Sequence, residues 1–98
     1  MLKPMTLSQL TTALSARLVS ADASFSGVSI DSRSVAAGQL FVALTGPRFD
    51  GHDYLADVQA KGAVAALVER EVADVDLPQL LVEDCRVALG QLGALNRA

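Results

Sequence analysis

Ninety-eight residues, 51% of them hydrophobic and rich in Ala, Leu and Val, make one domain with enough apolar volume for a core. A formal net charge of −3 and a sequence pI near 4.8 exclude a broadly basic nucleic-acid or anionic-membrane surface. Aromatic residues at 4%, with no Trp, exclude stacking platforms for bases.

Thr6-Leu7-Ser8-Gln9 has the form of a capping box, and Leu7, Leu10 and Leu14 fall on one helical face, which predicts a helix over about 7–15. Arg17 to Ser20 is short and β-like, and residues 21–24 read as a turn. Phe25 to Ile30 reads as a half-buried strand, Val28 and Ile30 alternating against Ser29. Asp31 to Ser34 breaks the apolar pattern, and Ala37-Gly38 marks a tight turn. Leu40 to Leu44 is continuously apolar, as in a strand covered on both faces.

A Gly-Pro loop follows, and Asp50 is placed to cap a helix whose inner face holds Leu55 and Val58 and whose stop is Gly62. Ala63 to Val68 is a second apolar strand, residues 69–76 an acidic connection, and Gln79 to Val82 a third strand. Asp84 then caps a helix with Cys85, Ala88, Leu89, Leu92 and Leu95 at helical spacing. This alternation predicts an α/β fold: a single small domain with a mixed or largely parallel sheet flanked by about three helices. The last helix reaches the chain end without a stop signal, so further polypeptide is expected beyond it.

Lone Cys85 cannot close an internal disulfide, and no apolar run approaches the roughly 18–20 residues of a membrane span. The first ten residues lack the apolar core of a secretory signal. A cytoplasmic protein without membrane or nucleic-acid partners is therefore expected. Neither a Gly-x-x-x-x-Gly-Lys-[Ser/Thr] loop nor Gly-x-Gly-x-x-Gly occurs, and a single His and a single Cys cannot build a tetrahedral zinc cluster. The residues thus describe a binding domain more readily than a complete enzyme.

The candidate site lies in two polar loops, Asp31-Ser32-Arg33 and Thr45 to His52. Each follows a β-like segment, so both are expected at one edge of one sheet, where α/β folds place ligands. Ser32, Arg33, Arg48, His52 and backbone amides would converge there on an anion such as a phosphate. Alternatives stand beside each. Asp31 suits a turn, Arg33 an ion pair with Asp31, and Arg48 a solvated loop charge. Phe49 suits a core plug as well as a binding wall, His52 a structural bond to backbone or Asp50, and Cys85 the core.

Asp31-Ser32-Arg33, Gly38 to Leu44 and Gly46 to Tyr54 together resemble the first domain of the Mur ligases. Residues 76–84 and 88–92 extend that resemblance over nearly the whole chain. Within the family, the run 48–53 favours the ligase that adds D-alanyl-D-alanine to UDP-N-acetylmuramoyl-tripeptide in peptidoglycan synthesis. The sibling that adds the third peptide residue is the alternative, and an interaction or scaffold domain that binds no nucleotide is another.

The resemblance implies a domain that grips the uridine diphosphate end of the substrate. Ile30 and Ser32 match contacts to the uridine diphosphate, and Pro47, Arg48 and Phe49 match the segment lining uracil and ribose. It further implies a parent ATP- and Mg2+-dependent amide ligase with central and C-terminal domains. Their ATP loop, magnesium ligands and carbamylated lysine are absent from these 98 residues, which are expected to carry no cofactor and to be inactive alone.

Overall fold

A computed structural model of the chain describes residues 5–19 and 22–95. The elements run β1 (Met5–Thr6), α1 (Leu7–Ala13), β2 (Arg17–Leu18), β3 (Ser24–Phe25), β4 (Gly27–Ser29) and β5 (Gln39–Val42). A 3-10 turn (Gly51–Tyr54) leads into α2 (Leu55–Ala60), followed by β6 (Ala65–Val68), β7 (Gln79–Leu81) and α3 (Cys85–Leu95). Five strands form one mixed sheet in the order β2-β7-β6-β5-β4. Its four neighbours β4 to β7 are parallel, and β2 closes one edge antiparallel to β7. β1 and β3 pair separately as an antiparallel two-stranded sheet.

Alternation along the strands divides the core between the two sheet faces. Leu40, Val42, Ala65, Leu67, Leu80 and Val82 point to the side where α1 brings Leu7, Leu10 and Leu14 and α3 brings Cys85, Ala88 and Leu92. Phe41, Ala43, Ala66 and Val68 point to the other side, against Leu55 and Val58 of α2 and against Val35 and Leu77 of the connecting loops. Both faces are covered, which is why the strands read as unbroken apolar runs.

Local signals act as the sequence dictates. The Thr6 hydroxyl accepts from the Gln9 N–H at 3.4 Å while the Gln9 side chain accepts from the Thr6 N–H at 2.8 Å. α1 stops at Ala13 because Ser15 turns left-handed at φ 52°. α2 stops before Gly62, and Asp84 caps α3 by accepting from the N–H groups of Arg86 and Val87.

Several elements differ from expectation, among them α1, which ends at Ala13, β5, which runs Gln39–Val42, and Ser24, which lies in β3 and not in a turn. The strand expected over 25–30 divides at Ser26, whose N–H donates to the Gly38 carbonyl at 2.9 Å. Phe25 turns into the cluster under α1, while Gly27 lies beside the Gln39 side chain in the main sheet. The helix expected from Asp50 begins as a 3-10 turn, and the 63–68 strand forms only from Ala65. Of the expected turn at 21–24, residue 21 lies outside the described residues, as do residue 20 of the short β segment and the side chain of Leu95.

One buried polar side chain holds the acidic connection in place. Gln79 donates from Nε2 to the Val72 carbonyl at 2.9 Å and accepts the Val72 N–H at 2.8 Å. It thereby pairs a loop to the sheet as a strand would. Cys85 is fully buried, and that burial, with the charges of Glu69 and Asp84 behind it, pushes its thiol up to about 12. The thiol is expected to resist iodoacetamide in the folded chain at neutral pH and to alkylate readily in denaturant, as mass spectrometry would show.

Candidate functional site between two strand-end loops

β4 and β5 are parallel neighbours with Ser29 opposite Phe41, so the loops that leave their carboxyl ends emerge side by side. Between them lies a groove of about 490 Å³. Ile30, Asp31, Ser32 and Arg33 form one wall; Leu44, Phe49, Gly51 and Tyr54 form the other, with Phe41 beneath. Only four large apolar or aromatic side chains stand out as exposed among the described residues. Three of them, Ile30 at 53%, Phe49 at 51% and Tyr54 at 39%, line this groove, which marks it as the surface left unfinished by folding.

The first wall is an Asx turn. The Asp31 carboxylate accepts the Arg33 N–H at 2.8 Å and the Arg33 guanidinium at 3.3 Å. The backbone and side-chain donors of Arg33 hold the Asp31 carboxyl below the ordinary carboxylate range. Lys61, at the end of α2, donates from Nζ to the Ser32 carbonyl at 2.6 Å. Among the described residues the Ser32 hydroxyl itself has no hydrogen-bond partner, so it remains available at the groove.

The second wall is a tight loop held from inside. Thr45 bridges to Asp50, and the Gly46 N–H donates to the Phe49 carbonyl at 2.9 Å. The Phe49 ring lies against Gly46, where an added Cβ would come within 2.5 Å of the ring. Gly51 closes the loop onto the end of β5, its N–H donating to the Leu44 carbonyl at 2.8 Å. A Cβ there would meet that same oxygen at 2.8 Å, so glycine is required.

Asp50 is the hub of this loop. Its Oδ1 accepts the His52 N–H at 3.0 Å and the His52 Nδ1 at 2.6 Å, and its Oδ2 meets Arg70 Nη2 at 2.9 Å. His52 Nε2 accepts the Glu69 N–H at 2.9 Å, so Nδ1 carries the proton it donates to Asp50. Burial would push the Asp50 carboxyl up. The His52 backbone, the His52 ring and Arg70 outweigh it and hold the group well below the usual carboxylate range. The seam continues: the Glu69 carboxylate accepts the Cys85 N–H at 2.8 Å, and Arg86 donates to the Thr45 carbonyl at 2.9 Å.

The two loops do lie at one edge, and Ile30, Ser32, Arg33 and Phe49 meet across the groove. Phe49 is no core plug. Arg33 is folded onto Asp31, in the ion pair that was its alternative. Pro47 and Arg48 sit on the exposed tip of the second loop, outside the groove lining. His52 is only 3% exposed with both ring nitrogens bonded within the protein, so it braces the wall instead of facing the groove. Sequence reasoning missed Tyr54 and Lys61. The signal for Tyr54 was its being the single Tyr, placed off the Leu55–Val58 inner face; Lys61 carried no local signal.

His52→Ala is expected to lower unfolding free energy by about 2–4 kcal/mol in urea titrations, since it opens a cavity and orphans the Glu69 N–H. Asp50 has a folded pKa below its unfolded value of 3.8, so its contribution is complete above about pH 5, begins to fade as pH nears 3.8 and is lost as pH falls on through the lower folded pKa. The stability gap between the wild-type chain and Asp50→Asn is expected to stay level from about pH 5 to 8 and to narrow below about pH 4 in thermal melts.

Comparison with known proteins shows the family. A model described as Mur ligase family, catalytic domain, matches residues 24–97. The chain is 50% identical over 92 residues to the UDP-N-acetylmuramoyl-tripeptide–D-alanyl-D-alanine ligase of Escherichia coli, covering 94% of this chain and 20% of that protein. It is 43% identical over 65 residues to the UDP-N-acetylmuramoyl-L-alanyl-D-glutamate–2,6-diaminopimelate ligase of Aquifex aeolicus, covering 66% of this chain and 13% of that one. A crystal structure of MurF from Acinetobacter baumannii superimposes with a TM-score of 0.83 at 41% identity, over 95% of this chain and 21% of its own. The chain thus spans about a fifth or less of the length of these relatives. With a family model matched over most of its residues and a shared fold, the chain belongs to the Mur ligase family.

Proposed function

We propose that the groove receives the uridine diphosphate end of UDP-N-acetylmuramoyl-tripeptide, and that the chain is the substrate-gripping domain of a ligase that adds D-alanyl-D-alanine in cytoplasmic peptidoglycan synthesis. One observation carries this reading: in a Mur ligase chain, three exposed apolar side chains and an unpartnered serine hydroxyl line one groove at adjacent parallel strand ends. Phe49, Tyr54 and Ile30 offer faces for a flat pyrimidine. The Ser32 hydroxyl and the Arg33 guanidinium offer donors to the diphosphate. Pro47 and Arg48, on the loop tip, would meet the parts of the ligand that extend past the groove. His52 contributes by fixing the wall.

The chemistry of ligation is assigned to ATP and Mg2+ in the central and C-terminal domains of the parent enzyme, which are this domain's partners. Among the described residues no group of three His, Cys, Asp or Glu side chains is arranged to hold a metal ion, and the sequence has no ATP loop. Binding and orientation are the work proposed for these residues. Among them, too, no helix is long and apolar enough to cross a membrane.

A second reading, the same domain of a ligase that adds the third peptide residue, draws on the similarity to the Aquifex aeolicus relative. The two readings share the uridine diphosphate end and part at the peptide end. A full-length parent that consumes D-alanyl-D-alanine supports the first, and one that consumes a diamino acid supports the second.

Titration of the 15N-labelled chain with UDP-N-acetylmuramoyl-tripeptide is expected to move the amides of residues 30–33 and 44–54. No movement at millimolar ligand would overturn the proposal. Phe49→Ala is expected to weaken binding about tenfold, given the usual worth of one base–aromatic contact. Arg48→Ala is expected to cost less, and to cost less still at high salt.

A further inference from the structure

The wall that carries Ser32 and Arg33 depends on a residue far along the chain. The peptide unit between Ser32 and Arg33 is held at both ends. Its N–H donates to Asp31 Oδ1 at 2.8 Å, and its carbonyl accepts Lys61 Nζ at 2.6 Å, across 29 residues of sequence. The first bond is local and comes with the Asx turn. The second is not: it fixes which way the peptide plane faces, and so where the Ser32 and Arg33 side chains project. Lys61 sits at the end of α2, and a helical side chain leans back toward its own N-terminus, which carries the ammonium toward the loop after β4.

α2 therefore touches the groove twice. The 3-10 turn that opens it places Tyr54 in the second wall, and its C-cap residue, Lys61, holds the first wall. The body between these ends is seated on the sheet by Leu55 and Val58, both fully buried. The spacing of the two walls is thus referred to one short, well-anchored helix.

We propose that Lys61 is a positioning residue of the groove, which acts through the Ser32 carbonyl to hold the Asp31–Arg33 wall in the conformation that binds an anionic nucleotide. This rests on the reading given under Proposed function. Lys61 does not line the groove, so its effect is not that of a direct phosphate contact. Arg can supply the same donor to a carbonyl, whereas Met fills the space of the Lys stem without donating.

The test uses uridine 5′-diphosphate as probe, with affinity from 15N amide shifts of the whole chain. Lys61→Met is expected to weaken binding about fivefold, the worth of one net hydrogen bond, and to shift the Ser32, Arg33 and Ser34 amides even without ligand. Lys61→Arg is expected to restore affinity to within about twofold of wild type. The Lys61→Met penalty should persist from low to high salt, because a bond to a carbonyl is not a screened phosphate contact. Equal affinity for wild type and Lys61→Met overturns the inference alone, as does a Lys61→Arg variant as weak as Lys61→Met or a penalty that vanishes in salt. A wild-type chain that fails to bind the probe overturns the nucleotide-binding reading and this inference with it. Should Lys61→Met fail to fold, Lys61→Leu, which likewise lacks a donor, gives the same comparison.

Discussion

The carboxylate of Asp50 is the constraint on which the binding edge depends. It gathers the His52 backbone and ring on one oxygen and Arg70 on the other, and His52 passes the link to the Glu69 amide at the end of β6. Glu69 in turn caps the start of α3, and Arg86 of α3 returns to Thr45 in the same loop. A continuous polar seam therefore runs across the ends of two strands and the start of a helix. Each such bond is worth only about 1 kcal/mol net, yet leaving a buried partner unmade costs about 1–3 kcal/mol, so the seam holds as a unit. Without it the Gly46–Phe49 turn would be an untethered loop and the groove would lack a second wall.

The seam can sit there because the sheet beneath it is buried on both sides. α1 and α3 cover one face, and α2 with two loops covers the other. That leaves the strand ends as the place where polar groups reach solvent without breaking the core. Parallel pairing of β4 with β5 puts two chain exits next to each other. An antiparallel arrangement would have sent them to opposite ends. The site is a consequence of strand direction before it is a consequence of any one side chain.

Most of this architecture was legible in the sequence, because it rests on short-range signals. The Thr6 and Asp84 caps and the Gly62 stop each depend on residues within a few positions and form where expected, and the apolar strands form with shifts of one or two residues at their ends. The pairing of the two loops was legible as well, since both follow strands of the same kind. The break at Ser26 was not, because it is imposed by a hydrogen bond to Gly38, twelve residues away. The inward turn of His52 was weighed but not decided: its partner Asp50 is local, whereas the Glu69 amide that fixes its tautomer comes from the residue after β6, seventeen positions on. Lys61 and Tyr54 escaped for the same reason, as the groove that gives them meaning exists only after β4, β5 and α2 have packed together.

The strand order also bears on how the chain can assemble. From β4 to β7 every strand lies beside the next one in sequence, so each can be added with only one connection to close. β2 is the exception, because Arg17 and Leu18 pair with Leu81 and Leu80. This edge strand has no partner until Leu80 and Leu81 have been synthesised. β2 must therefore wait for β7, and this edge of the sheet closes only once β7 is in place.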